Sequence, residues 1–209
     1  MTIFWDWNGT LVDDVDTVVR INNQVFARHG YPPTTAEEYR RLFRFPVIEY
    51  YRDLGVTDED FRIIAREWNE GFVAAFPQVP LKKDVAETLR RFHAAGFSQV
   101  IISASQQDQL RAQVKQFPGL NGVFDAVLGL NNVYAVSKVE LAREYLARSG
   151  VDPANALFIG DTTHDAEVAA AISCPCRLIS GGHQMDTVLA TAGVPVLQSL
   201  TQLYAELNV

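Results

Sequence analysis

Asp6 stands directly after a short apolar run, Ile3-Phe4-Trp5, and opens the glycine-containing turn Trp7-Asn8-Gly9-Thr10. A strand that ends in this way presents a nucleophile or a metal ligand at its C-terminal edge. Where a second carboxylate two residues on would serve acid–base chemistry, the chain carries the neutral amide of Asn8. Polar residues recur at the ends of later apolar runs. Ser103 follows Val100-Ile101-Ile102, and Asp161 follows Leu157-Phe158-Ile159-Gly160, with Asp165 four residues on. Lys138 lies inside Ser137-x-x-Glu140, a capping pattern ahead of a helix. Taken singly, each has a bland reading: a turn former, a helix cap, a solvated lysine. Their strength lies in their order and spacing.

The elements that must position these groups follow from the hydrophobic pattern. From Asp13 to Pro80 the chain reads as almost wholly helical. Val15, Val18, Val19, Asn22, Val25 and Phe26 share one face, stopped by Gly30. Thr35-x-x-Glu38 predicts a capped helix, Asp53–Gly55 the end of another, and Thr57 the start of a longer one carrying Phe61, Ile64, Ala65, Trp68, Phe72 and Phe76. Pro77 and Pro80 mark a linker. From Lys82 onward, β-branched runs alternate with helical patterns closed by Gly96 and Gly150, which predicts βαβ units and a parallel sheet. Cys176-Arg177-Leu178-Ile179 reads as a further strand. Val194–Leu197 reads as an edge strand, because Pro195 cannot donate to a central ladder. Ligands of such sheets bind at the carboxyl ends of the strands, where Asp6, Ser103 and Asp161 stand.

Bulk properties narrow the function classes. At 209 residues with 48% hydrophobic content, the chain suits one large domain, or a core with a small accessory domain. The expected division is an α/β core, residues 1–12 and 82–209, with an all-helical insert, residues 13–81. A net charge of −7 argues against general nucleic-acid binding. No apolar run approaches the roughly 20 residues of a membrane span, and no basic segment with a signal-like run opens the chain. The two cysteines, Cys174 and Cys176, flank Pro175 and read as reduced, buried thiols of a cytoplasmic protein, since a zinc site would need further ligands.

Together these motifs resemble those of the haloacid dehalogenase-like hydrolase superfamily, most closely its phosphoglycolate-phosphatase-like branch with a helical cap. Asp6 to Thr10 match the first motif, Asp-x-Asp-x-Thr, except at Asn8. Ser103 matches the second, Lys138 the third, and Gly160, Asp161 and Asp165 the fourth. The resemblance implies a Rossmann-like parallel-sheet core with an inserted cap, and a small phosphorylated metabolite as substrate. It implies Asp6 as phosphoryl acceptor and Mg²⁺ held by Asp6, the backbone carbonyl of Asn8 and Asp161, with Asp165 as outer ligand or orienting group. Ser103 and the N–H of Ala104 would hold phosphoryl oxygens, and Lys138 would neutralise charge between Asp6 and phosphate. Thr10 would join this phosphate-binding set and brace the turn. His164 lies within the fourth motif.

Asn8 departs from the pattern at the residue that gives the family its general acid and base, a function worth typically 10²–10⁴-fold. The resemblance therefore implies a competent phosphate site with reduced turnover. A phosphate-metabolite binding or regulatory protein is the alternative, and a phosphotransferase a weaker one. Between Asp13 and Leu81 there are eight Arg and no Lys. The missing Lys argues against the phosphonoacetaldehyde-hydrolase branch, and the complete metal motif argues against haloacid dehalogenation. In related caps the loop between the second and third helices enters the active site. Here it is residues 42–46, so Arg44 between Phe43 and Phe45 either pairs with a substrate carboxylate or second phosphate or is an Arg on a solvated helix face.

Overall fold

The computed structural model describes residues 1–130 and 137–209. Strand β1 (Thr2–Trp5) is followed by four helices before the next strand: α1 (Val15–His29), α2 (Ala36–Leu42), α3 (Val47–Asp53) and α4 (Asp58–Ala75). The rest alternates: α5 (Val85–Ala94), β2 (Ser98–Gln106), α6 (Gln107–Lys115), β3 (Ala126–Leu130), α7 (Lys138–Ser149), β4 (Ala156–Gly160), α8 (Thr163–Ala171), β5 (Cys176–Ile179), α9 (Asp186–Leu189), β6 (Val196–Leu197) and α10 (Gln202–Leu207). Among the described residues, the six strands form one sheet in the order β3-β2-β1-β4-β5-β6, and each pairing is parallel. The sequence pattern predicts this α/β architecture, and β6, with Pro195 before it, is an edge strand as the proline requires.

Position along β1 decides which face each side chain supplies. Ile3 and Trp5 enter the core cluster that also receives α1 and α5, whereas Phe4 enters the cluster on the opposite face. Phe4 meets Tyr145 of α7 edge-on, at 5.8 Å between ring centroids. Asp6, two residues beyond Phe4, therefore emerges on the side that α7 covers. The buried polar groups beside Trp5 are paired. The Trp5 indole N–H donates to Gln99 Oε1 at 3.2 Å, and the Gln99 amide donates to Leu89 O at 2.8 Å.

Helix boundaries follow local chemistry in most places. Gly30 adopts φ 76° after α1, the Thr35 hydroxyl accepts the Glu38 N–H, and the Thr57 hydroxyl accepts the Asp60 N–H. Two expectations differ. Ser137 precedes α7 without a side-chain cap, the turn being closed by Glu140 N–H to Ser137 O. The second strand runs on past Ile102 to Gln106, with a register shift against β3. Strand β3, at the edge of the sheet, lacks the uninterrupted β-branched run of its neighbour β2 and is not foreseeable from pattern alone.

The chain leaves for the four helices and returns side by side. Val12 bridges Leu81, Asp13 N–H donates to Pro80 O at 2.9 Å, and Lys82 N–H donates to Leu11 O at 2.9 Å. None of the described helices is long and apolar enough to cross a membrane.

Candidate active site

The turn after β1 is built by close approach. Gly9 has φ +70°, and a Cβ there would overlap both the Asp161 carboxylate and the His183 ring. Gly182 is constrained from the other side, since a Cβ would again strike Asp161. With both glycines in place, Asp161 is fully buried between two loops. Its Oδ1 accepts the Thr10 hydroxyl at 2.8 Å and its Oδ2 accepts the His183 backbone N–H at 2.6 Å.

Lys138 occupies the first position of α7, and only 4% of it is exposed. Its Nζ donates to Asp6 Oδ1 at 2.6 Å and to Asp165 Oδ1 at 2.5 Å. The second oxygen of Asp165 accepts the N–H of Asp161 at 3.2 Å, the N–H of Thr162 at 3.0 Å and the Thr162 hydroxyl at 2.7 Å. The capping box that starts α8 thus also aims Asp165 at Lys138. One oxygen of Asp6 is engaged by Lys138, and the residue lines a cavity together with Ser103 and Ala104.

Burial and crowding set the protonation balance. Burial pushes Asp6 up to about 8, with Asp165 and Asp161 adding to it and Lys138 opposing. Asp161 is likewise raised, first by burial. For Asp165, burial is outweighed by Lys138 and the carboxyl falls below its usual range. Burial would lower Lys138, but Asp165 and Asp6 raise it above the ordinary amine value. Asp6, Asp161 and Asp165 each offer an oxygen within 4.8 Å of the others. Three buried carboxylates with only oxygen donors, two of them raised toward neutrality by burial first and by neighbouring carboxylates second, fit a hard divalent cation such as Mg²⁺.

The structure sends two predicted residues elsewhere. Thr10, expected among the phosphate-binding groups, is fully buried, spends its hydroxyl on Asp161 and does not line the cavity. Arg44, expected to reach substrate, pairs with Asp53 and stays exposed. Its guanidinium remains in water beside a carboxylate while Phe43 and Phe45, on either side, line the cavity. His164 stacks on Phe45 at 4.6 Å and lies 3.1 Å from Glu167 through Nδ1.

Sequence reasoning missed a second buried chain of groups. The Asn8 amide donates to Asp14 Oδ2 at 2.8 Å, and its Oδ1 accepts the Ser105 hydroxyl at 2.8 Å. Asp14 Oδ1 accepts the Gly9 N–H at 2.8 Å and lies 3.3 Å from His183 Nε2. His183 Nδ1 is 2.8 Å from the Tyr39 hydroxyl on α2. Burial opposes charging His183, but Asp14 and then Asp161 push it up to about 9. Burial would raise Asp14, yet His183, Asn8 and Gly9 hold it below the usual carboxylate range. One signal was available: Gly181-Gly182-His183 follows β5, and strand ends are where such sheets bind ligands.

A buried acid cluster bridged by a lysine, at the carboxyl ends of a parallel sheet and beneath four inserted helices, defines a hydrolase-type α/β protein with a covered site. Residues 3–179 match the haloacid dehalogenase-like hydrolase family, and the chain belongs to it. A phosphoglycolate phosphatase of Synechococcus elongatus is 26% identical, over 96% of this chain and 97% of its own length. The pyrophosphatase PpaX of Bacillus velezensis is 24% identical over 78% of this chain and 75% of its own. Among solved structures, a haloacid dehalogenase-like hydrolase from Streptococcus pneumoniae superposes with TM-score 0.86 at 18% identity, covering 99% of this chain and 97% of that one. At that identity the likeness is one of fold.

Proposed function

We propose that this chain is a Mg²⁺-dependent phosphatase of small phosphorylated metabolites that works through an aspartyl-phosphate on Asp6. The observation that carries the reading is the Lys138 bridge, 2.6 Å to Asp6 and 2.5 Å to Asp165, in the cavity that Ser103 also lines. The family and its phosphatase relatives support it.

In this reading the phosphate sits between Asp6, Ser103 and the N–H of Ala104. Asp6 attacks phosphorus, the bond to the leaving oxygen breaks, and water later cleaves the acyl phosphate at Asp6. Lys138 neutralises charge passing between the carboxylate and the phosphoryl oxygens. Asp165 positions Lys138, and Thr10 positions Asp161. Asp6, the Asn8 carbonyl and Asp161 would hold the cation, which when bound offsets phosphoryl charge.

Asn8 cannot donate the proton to the leaving oxygen, so turnover is slow relative to an enzyme with a carboxylate there. Its amide is fixed by Asp14 and Ser105, so the loop keeps a defined shape despite the exchange. The test is phosphate release with Mg²⁺ by wild type and Asp6→Asn. Release by wild type that disappears in the variant is the expected result. Equal release by both would overturn the assignment of Asp6.

A further inference from the structure

The cavity above Asp6 encloses about 790 Å³, enough for a ring-sized organic group in addition to a phosphate. A two-carbon acid would leave most of it to water. Its wall on the four-helix side is made of aromatic and neutral residues: Phe45, Tyr50, Trp68 and Phe72, with Asn22 and Asn69 between them. Trp68 and Phe72 stack at 5.0 Å with 10° between their planes. The Asn22 amide donates to the Tyr50 hydroxyl at 3.2 Å, while its buried Oδ1 has no partner among the described residues.

Charge in the cavity is one-sided. None of the eight arginines between residues 13 and 81 lines it. Four of them pair with surface carboxylates: Arg28 with Glu67, Arg44 with Asp53, Arg52 with Glu49 and Asp58, and Arg66 with Glu70. Three cationic or titratable basic side chains do line it, and each has an acidic neighbour. Lys138 is held by Asp6 and Asp165, His183 by Asp14, and His164 lies against Glu167. Residues 131–136, Asn-Asn-Val-Tyr-Ala-Val, contain no basic side chain to add. A substrate carboxylate or second phosphate placed against this wall would lose its water without gaining a cation, which is a costly exchange.

We infer that the preferred substrate is a phosphate monoester whose leaving group is uncharged and ring-sized, bound through its apolar face to Trp68, Phe72 and Tyr50. This rests on the phosphatase reading for its turnover, though not for its binding. An uncharged polar substituent on the ring has a ready acceptor in Asn22 Oδ1. The inference separates the chain from relatives whose names specify a small carboxylated phosphate.

The test compares unactivated leaving groups, so that intrinsic reactivity does not bias the result. Phosphate release is measured with Mg²⁺ for 2-phenylethyl phosphate and 2-phosphoglycolate. In parallel, binding to wild type is measured by calorimetry for their non-hydrolysable counterparts, 3-phenylpropylphosphonate and 3-phosphonopropionate. The phenyl compound of each pair is expected to win by about tenfold or more, in kcat/KM and in Kd. Trp68→Ala is expected to shrink that ratio chiefly through KM of the phenyl substrate. Tighter or equal binding of 3-phosphonopropionate would overturn the inference. Preferential binding of the phenylphosphonate, with no hydrolysis of either ester, would sink the phosphatase reading and leave the ligand class standing.

Discussion

The floor and the wall of the cavity are built on opposite principles. On the floor, nearly every polar atom has a named partner: Asp161 is held by Thr10 and His183, Asp165 by Thr162 and Lys138, Asn8 by Asp14 and Ser105. On the wall, contacts are ring on ring, such as Tyr39 with Phe43 at 5.0 Å and Trp68 with Phe72 at 5.0 Å. Hydrogen-bonded charge in a buried site has one good geometry, and losing a partner leaves an expensive orphan. Packed rings adapt to a change of volume at smaller cost. The floor should therefore fix what reaction occurs, and the wall should fix which molecule undergoes it.

The sharpest break of that division is on the floor. Asp6→Asn keeps the size of the side chain and its contact with Lys138 but removes the oxygen proposed as nucleophile. Phosphate release is expected to fall by a factor on the order of 10³ or more, with a smaller loss of melting temperature because Lys138 keeps Asp165 as its charged partner. A fall of less than tenfold would show that another group accepts the phosphoryl moiety. Chelation of divalent cations by EDTA is expected to abolish release and to lower the melting temperature, because the charge of Asp6, Asp161 and Asp165 would be offset only by protein cations such as Lys138, His183 and Lys82. Full activity in EDTA would remove the cation from the proposal.

Asn8 shows how the floor constrains its own repair. Replacing the amide by a carboxylate looks from the sequence like a simple gain of acid–base function. In the structure the new oxygen would face Asp14 Oδ2, the partner of Asn8 Nδ2 at 2.8 Å, inside a buried site. Asn8→Asp alone is therefore expected to lose about 2 kcal/mol of stability, or roughly 4–8 °C in melting temperature. The double variant Asn8→Asp with Asp14→Asn restores a donor opposite the carboxylate. It is expected to recover that stability and to raise kcat by roughly 10²-fold over wild type. A stable, faster Asn8→Asp single variant would show that Asp14 does not hold position 8.

The same contrast decides what the sequence could disclose. Asp6, Ser103, Lys138, Asp161 and Asp165 were legible as candidates because each follows an apolar run or opens a helical pattern and because all of them stand in a fixed order, although β2 in fact continues past Ser103. So was the alternation that builds the sheet. Asp14 and His183 were not. Asp14 lies inside the run that begins the helical insert and reads as an ordinary first-turn acid, and His183 is one residue in a glycine loop 169 positions later. Only the approach permitted by Gly9 and Gly182 brings them together. Arg44 was left open for another reason. The resemblance placed its loop at the site, but pattern cannot say whether a charged residue between two rings turns with them or away. The aromatic wall itself read as the buried face of a helix, because a core and a ligand cavity ask for the same side chains.

On the wall, effects should be smaller and should fall on binding. Trp68→Ala removes one half of the stacked pair but touches no atom of the floor. KM for a ring-bearing substrate is expected to rise roughly fivefold to tenfold with kcat nearly unchanged, since contacts made equally in ground and transition states alter binding alone. Arg44→Ala is expected to do least. Its partner Asp53 is on the surface, and an exposed ion pair contributes about 0–1 kcal/mol. Kinetics toward both neutral and carboxylated substrates should stay within about twofold, with a melting-temperature change of no more than roughly 4 °C. A selective loss of activity toward carboxylated phosphates in Arg44→Ala would mean that the guanidinium swings into the cavity during turnover. The wall would then carry the cation that its resting arrangement lacks, and the neutral-substrate inference would fall with it.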